Sequence, residues 1–316
     1  MVVNRNSDGP FRTMGHGEVI DCMIQISVPR AEVPVGGRLQ LFAHQWHRIT
    51  EDPWVLEIVT QGYSLEFIGP PPTNSIRITP TARSQDCPIR KEVQALLAKN
   101  AARPVTSADP QTGFFSHFFL RPKKSGGLRP ILNLRPLNQY LVQKHFKMDH
   151  LANIVPNLSI GLWAISIDLT DAYLHVPVRE AHQRFLRFAL SVEEIIQFLV
   201  LCFGLRTAPR VFTKLVIVIA AYLRRRGFQI FMFLDDWLLV HQDVHVLMAQ
   251  AKDLVNLVTE LGFLINWEKS DLQPSQSFVY LGVQFDLRVG LLYPSKERLH
   301  HLQEALSIIC KDKGGR

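Results

Sequence analysis

The sequence predicts an α+β protein in which helices pack on one face of a sheet. Three observations predict it. Apolar stretches of strand length alternate with helical stretches, and the Gly-rich βαβ fingerprint of a dinucleotide-binding fold does not occur among them. The segment Gln229 to Val240 sets bulky apolar runs on either side of Asp235 and Asp236, the pattern of a buried β-hairpin with its charges at the turn. Val244, Leu247, Ala251, Leu254, Val258 and Leu261 recur at spacings of three and four, which is the apolar stripe of a helix laid on a core.

Composition narrows the class. A chain of 316 residues with 47% hydrophobic content can bury a sizeable core, and its length corresponds to about two domains at ~150 residues each. Mean hydropathy near zero argues against a disordered chain. The longest aliphatic run, Leu215 to Leu223, is nine residues, short of the ~18 to 20 needed to span a bilayer. With no secretory signal at the start, an intracellular location, cytoplasm or nucleus, is expected, with no membrane partner. Four cysteines (Cys22, Cys87, Cys202, Cys310) without a Cys-x-x-Cys pair fit free thiols. His44 with His47, and His241 with His245, lack a second ligand pair nearby, which argues against zinc. Charge is concentrated: residues 83–150 hold 12 Lys and Arg against 4 Asp and Glu, leaving the remainder of the chain at 23 against 24. A basic segment of this kind reads as a footprint for a polyanion such as nucleic acid, or as a solvated face.

In chain order, residues 1–37 show no clear period. Gly37 to Pro72 is rich in aromatic and aliphatic residues and ends at Pro70-Pro71-Pro72, a boundary that neither a helix nor a central strand can cross. Arg90 to Arg103 reads as an amphipathic helix with Val93, Leu96 and Leu97 on one face, ended by Pro104. Phe114 to Tyr140 carries two apolar runs around Lys123-Lys124-Ser125-Gly126-Gly127, a hairpin with a basic tip and Arg129 on the returning strand. Two ammonium groups and a guanidinium so placed suit a triphosphate. Leu162 to Asp168 reads as a strand, after which Asp171 can share one space with Asp168 if a turn or helix follows. Asp171 capping that helix is the alternative. Thr207 and Pro209 mark a helix start, Val211, Leu215, Ile219 and Leu223 its buried face, and Arg224-Arg225-Arg226 before Gly227 its end. Asp243 caps the next helix, which stops at Gly262. Phe263 to Trp267 and Phe278 to Phe285 read as strands, with Lys269 between them and Leu281-Gly282 inside the second, and Pro294 to Ile309 as a final helix. Taken alone, Asp235-Asp236 fits a surface turn, where Asp is favoured. Adjacent carboxylates kept ionised otherwise call for a cation.

From about Phe114 to Asp286 the chain resembles the reverse transcriptase domain of retroelements, with the blocks in the family's order. These are the basic hairpin with Arg129, Arg135, Leu137 and Asn138; Ile165 to Tyr173; Phe203 to Phe212; Phe233 to Asp236 as the aromatic-x-Asp-Asp; Leu261 to Lys269; and Tyr280-Leu281-Gly282. Asp235-Asp236-Trp237-Leu238, the phrase from Asn266 to Gln276, and the upstream Asp52-Pro53-Trp54-Val55-Leu56 with Gly62-Tyr63 are similar to the DIRS group of tyrosine-recombinase retrotransposons. The chain departs from the family at Asn133, where Asp is usual, at Cys202, and in the loop from Ser191 to Ile196, which lacks the usual Gly-rich turn.

The resemblance implies right-hand polymerase fingers and palm, with an antiparallel palm sheet backed by helices and an incomplete thumb. Residues 1–82 would be a leader and element-specific segment, 83–160 fingers, 161–286 palm with the catalytic hairpin and some inserted fingers elements, and 287–316 the start of thumb or connection. It implies an RNA-directed DNA polymerase using two Mg²⁺ ions, with Mn²⁺ as a substitute, on Asp168, Asp235 and Asp236, and Lys269 as a catalytic proton donor. Lys123, Lys124, Arg129, Asp171, Ala172 and Tyr173 would bind the nucleotide, with the Tyr173 ring excluding a 2′-hydroxyl. Phe203, Gly204, Leu281 and Gly282 would contact template and primer. Implied partners are an RNA template, a DNA primer, deoxynucleotides, and RNase H and recombinase modules of the same element. The rival reading is a degenerate copy that binds nucleic acid without polymerising.

Overall fold

The computed structural model describes residues 33–80, 87–110, 112–123, 126–300 and 303. Twelve strands occur among them, in chain order β1 (Ala102–Pro104), β2 (Phe118–Pro122), β3 (Leu128–Leu132), β4 (Trp163–Asp168), β5 (Arg187–Ala189), β6 (Ile195–Phe198), β7 (Gln229–Phe233), β8 (Asp236–His241), β9 (Asp271–Ser275), β10 (Ser277–Tyr280), β11 (Val283–Asp286) and β12 (Leu291–Pro294). They form four sheets with orders β1-β6-β5, β2-β3, β7-β8-β4-β9 and β10-β11-β12.

The four-stranded sheet is antiparallel throughout and positions the site. Its near-continuous apolar runs are explained by burial on both faces. Side chains alternate across a strand, so Ile165, Ile167, Trp237 and Leu239 enter the main core, while Ala164, Leu238 and Val240 enter a second cluster with Ile154, Phe231, Tyr280 and Phe285. The helices Ala208–Arg224 and Val244–Glu260 pack on the main-core side. In the first, Val211, Leu215, Ile219 and Leu223 are all buried, as their four-residue spacing predicts. In the second, Asp243 accepts hydrogen bonds from the His245 and Val246 amides, the expected cap, and Leu247, Ala251, Leu254 and Val258 are buried. Thr207 occupies the cap position of the Ala208–Arg224 helix but makes no side-chain cap bond.

Several boundaries differ from the sequence reading. The helix expected over Arg90 to Arg103 is Pro88–Ala98; Asn100 then turns through φ +53° and Ala102–Pro104 becomes an edge strand, its register running from Ala102 opposite Phe198 to Pro104 opposite Ile196. Phe263 to Trp267 is no strand. Only Ile265 bridges Leu169, because the Leu264 amide is taken by the His175 ring and the Asn266 carbonyl begins a turn that receives the Lys269 and Ser270 amides. Phe278 to Phe285 is two strands, β10 and β11, joined by a turn in which Leu281 (φ +48°) and Gly282 (φ +75°) are both left-handed. β9, unforeseen, takes the β4 edge. The β5-β6 hairpin closes without glycine, the Ser191 hydroxyl accepting from the Glu194 amide. Residues 296–300 are helical, and the rest of the expected final helix, apart from 303, lies outside the described residues, as do Cys22, Lys124, Cys310 and the leader 1–32. Cys202 is a buried free thiol. Among the described residues no helix is long and apolar enough to cross a membrane.

Candidate active site

The site begins with strand register. β7 and β8 close with Phe233 opposite Asp236, so the hairpin turn is Leu234-Asp235. β4 runs antiparallel to β8 with Asp168 opposite Asp236. Three carboxylates from chain segments 67 residues apart therefore converge at one sheet end. The backbone there is held on every side. The Leu169 amide donates to the Asp235 carbonyl (3.1 Å), the Asn266 amide to the Asp168 carbonyl (2.8 Å), and the Asp168 amide to Ser270 Oγ (3.0 Å). Tyr280 Oη donates to the Asp236 carbonyl (2.9 Å), and Trp237 Nε1 to the Leu234 carbonyl (2.7 Å). Leu234 sits at φ +52°, a conformation that costs a bulky residue about 1–3 kcal/mol and persists only where its surroundings impose it.

Electrostatics follow from this crowding. Burial pushes the Asp236 carboxyl up to about 7, and the Asp235 and Asp168 charges add to it, Asp168 also through a hydrogen bond between the two carboxyls. Asp235 is raised by burial and by Asp168, with Lys269 and Arg129 acting in the opposite sense. Tyr173 is pushed up to about 12 by burial and by Asp235.

Two clefts flank the aspartates. One, of about 240 Å³, is lined by Asp168, Asp236, Lys269, Leu281 and Gly282, which brings together five of the residues singled out in the sequence. Leu281 and Gly282 reach it because they form the β10-β11 turn. The second, of about 50 Å³, is lined by Lys123, Arg129, Asp171 and Phe203, with Lys99. Arg129 lies 5.0 Å over the Phe203 ring, and the Tyr173 ring is 5.2 Å from Phe203 and 5.8 Å from Phe212. Asp171 turns away from capping. It sits at φ +48° ahead of the 3₁₀ turn Ala172–His175, makes no cap bond, and pairs with Lys99 Nζ at 2.6 Å. Asp168 and Asp171 thus line different clefts. Gly204, at φ +107°, lies so close to β3 that a Cβ there would be 1.9 Å from the Leu132 carbonyl oxygen.

A model of the family "Reverse transcriptase (RNA-dependent DNA polymerase)" matches residues 121–285. The chain belongs to the reverse transcriptase family. This reverse transcriptase domain is 23% identical over 155 residues to the Transposon Tf2-3 polyprotein of Schizosaccharomyces pombe, covering 49% of this chain and 11% of that polyprotein. It is 29% identical over 223 residues to the Gag-Pro-Pol polyprotein of Sheep pulmonary adenomatosis virus, covering 67% of this chain and 12% of that one. The chain thus spans about a tenth of the length of these relatives. Its mixed α+β fold matches the foamy viral protease-reverse transcriptase solved in complex with dsDNA, at TM-score 0.60 and 17% identity over 90% of this chain and 64% of that chain.

The family implies a divalent cation, and the donor set suits one. The converging groups are carboxylate oxygens whose mutual repulsion raises their proton affinity, the condition a hard cation relieves. Among the described residues no group of three or more His, Cys, Asp or Glu side chains forms a cage for a metal. Mg²⁺ does not require one, since it is held by one or two carboxylates together with waters and substrate phosphates.

Sequence reasoning missed Lys99, Ser270, Tyr280 and His175 as residues that hold the site. Ser270 directly follows Lys269, and Tyr280 directly precedes the Leu-Gly pair, so adjacency was the available signal. Lys99 offered none, lying 72 residues from Asp171.

Proposed function

We propose that this chain is the fingers and palm of an RNA-directed DNA polymerase of a DIRS-group retrotransposon. Residues 83–160 form the fingers, 161–286 the palm with its catalytic hairpin and some inserted fingers elements, and 287–316 open the thumb or connection, after a leader and element-specific segment over 1–82. The observation that carries the reading is the β4-β8 register, which sets Asp168 beside Asp236 and next to Asp235 at the end of a sheet. The DIRS assignment rests on Asp235-Asp236-Trp237-Leu238, the Asn266 to Gln276 phrase and the Asp52 to Leu56 segment.

Asp168, Asp235 and Asp236 would hold two Mg²⁺ ions, or Mn²⁺ in their place, whose bound charge would supply electrostatic stabilisation for nucleotidyl transfer. Lys123, Lys124 and Arg129 grip the triphosphate from the hairpin tip, joined by the backbone N–H groups of Asp171 and Ala172. Tyr173, wedged between Phe203 and Phe212, presents its ring beneath the sugar and excludes a 2′-hydroxyl. Phe203 and Gly204 meet the templating strand, and Leu281 and Gly282 meet the primer where their turn borders the aspartate cleft. Lys269, exposed at that cleft, donates a proton to the leaving pyrophosphate. The partners are an RNA template, a DNA primer and deoxynucleotides, with RNase H and recombinase modules from the same element. The dsDNA bound by the foamy viral relative supports a nucleic-acid duplex as product.

Extension of oligo(dT) on poly(A) tests this, with Mg²⁺ and with EDTA. The wild-type chain should extend only with Mg²⁺, and Asp235→Asn should abolish extension at least a thousandfold. Extension by the variant would overturn the metal-site assignment. Template binding by the wild type without any extension would put the degenerate, binding-only copy in its place.

A further inference from the structure

A second charged cleft lies on the sheet β1-β6-β5, sharing no lining residue with the two clefts beside the aspartates. Its origin is a cross-strand row. Arg103 of β1 is opposite Gln197 of β6, and Gln197 is opposite Arg187 of β5, so three polar side chains project from one face. The alternate residues Phe188 and Phe198 fall on the other face, where Phe188 stacks on Phe118 at 4.4 Å. The polar row borders a cleft of about 570 Å³, which Arg184, Asp109 and Glu180 also line.

The charges in this cleft are unevenly matched. Arg103 is paired with Asp109 through two hydrogen bonds of 2.8 and 2.5 Å. Asp109 also accepts from the Thr106 amide and hydroxyl, so its acceptor capacity is committed. Arg187 is 1% exposed and has only neutral partners, its Nε donating to Gln197 Oε1 (2.8 Å) and its Nη1 to the Pro110 carbonyl (2.7 Å). Among the described residues, Arg187 Nη2 and Arg184 Nε are buried without any hydrogen-bond partner, and Glu180 is in no ion pair. The Arg184 guanidinium lies 5.0 Å over the Phe185 ring, a stacking that leaves its edges available for in-plane donation. A buried guanidinium with unused donors and no carboxylate of its own is unfavourable unless an anion completes it. Burial lowers the Arg187 guanidinium from its ordinary value, and Arg103 and Arg184 add to that effect against Asp109.

We propose that this cleft is a phosphate site in which Arg187 and Arg184 grip the oxygens of one phosphate group. Gln197 is a positioning residue, since its Oε1 fixes the Arg187 fork. Planar guanidinium pairs match phosphate oxygens in a way that the exposed ammonium of Lys123 does not. The phosphate comes either from a small anion such as pyrophosphate or from the backbone of a nucleic-acid strand. The inference does not depend on the polymerase reading.

Titration calorimetry on the 316-residue chain without divalent metal tests it, using inorganic phosphate, pyrophosphate and a short single-stranded oligodeoxynucleotide as probes. Arg184→Gln alters a half-buried side chain, and Gln197→Glu keeps the shape and acceptor while supplying Arg187 with an internal carboxylate. Each should weaken binding at least tenfold, whereas Arg48→Gln, an exposed arginine paired with Glu260 away from these clefts, should leave binding unchanged. Losses confined to phosphate and pyrophosphate identify a small-anion site, and losses confined to the oligonucleotide identify a backbone contact. Unchanged binding of all three probes by both variants, or no binding by the wild type at millimolar concentrations, would overturn the proposal. Circular dichroism of each variant keeps a folding defect from passing as a loss of binding: a variant that loses its fold is replaced by Arg184→Lys, for which a tenfold loss is again expected and wild-type affinity refutes the site.

Discussion

Gly204→Ala, set against Gly227→Ala, separates two costs that a glycine at positive φ conceals. Gly204 has φ +107° and Gly227 φ +83°, so an alanine at either is strained by about 1–2 kcal/mol. Their surroundings differ. A Cβ at Gly227 meets nothing within 4 Å, whereas at Gly204 it falls 1.9 Å from the Leu132 carbonyl oxygen. Restoring an ordinary 3.4 Å contact requires β3 to retreat by about 1.5 Å. The Leu132 side chain is fully buried in a close-packed core, and its amide donates to the Phe203 carbonyl at 3.0 Å. A shift of that size breaks the bond and leaves a buried donor unpaired, which adds about 1–3 kcal/mol. Gly204→Ala should therefore destabilise by about 2–5 kcal/mol and Gly227→Ala by about 1–2. Urea unfolding reads both as shifts of the midpoint at constant slope. The same retreat moves Arg129 and Phe203 together, so extension activity should fall with Gly204→Ala and not with Gly227→Ala. Equal midpoints for the two variants would refute the claim that close approach of β3, rather than backbone strain, demands glycine at 204.

Three further outcomes follow from the site. His175 is wholly buried, its ring placed between the Ala172 carbonyl (3.2 Å) and the Leu264 amide (3.0 Å), and burial lowers it to about 4. Because its folded value lies below the unfolded 6.5, the stability it confers is complete above pH 6.5 and is lost as pH falls toward 4, by about 3 kcal/mol. The difference in unfolding free energy between wild type and His175→Gln, measured from pH 7 to 4, should shrink accordingly, and a difference that stays constant would show that the ring does not resist protonation. Ser270→Ala removes the acceptor of the Asp168 amide and the donor to the Asn266 carbonyl, and should cost about 1–2 kcal/mol by denaturant midpoint while lowering kcat more than it changes KM for nucleotide. Tyr173→Ala should raise ribonucleotide incorporation relative to deoxynucleotide at least tenfold in single-nucleotide extension, and unchanged selectivity would remove the ring from its place under the sugar.

What the sequence disclosed and what it withheld divide along a physical line. Caps, helix stripes and the two long hairpins are local, so Asp243, the Val211 to Leu223 face and the hairpin around Asp235 were legible from neighbouring residues, although its turn is Leu234-Asp235 and Asp236 already belongs to β8. β1, β5, β6 and β9 are three to five residues long and depend on partners far along the chain, so no short-range pattern announced them or the Arg103-Gln197-Arg187 row they create. The convergence of Asp168 on Asp235 and Asp236 was available only through the family resemblance, since strand register is a tertiary fact. Where local rules failed most sharply, the failures share a location. Four non-glycine residues among those described have positive φ: Asn100, Asp171, Leu234 and Leu281. Leu234 forms the turn beside Asp235, Leu281 lines the aspartate cleft, Asp171 lines the neighbouring one, and Asn100 follows Lys99, the partner of Asp171. A leucine in a left-handed turn is a poor choice for folding, and two of them at the rim of one carboxylate cluster mark a backbone held by its surroundings for the sake of the site. Replacing either by glycine would relieve the strain, so the chain should gain stability at Leu234→Gly or Leu281→Gly only to the extent that the lost leucine packing does not offset it.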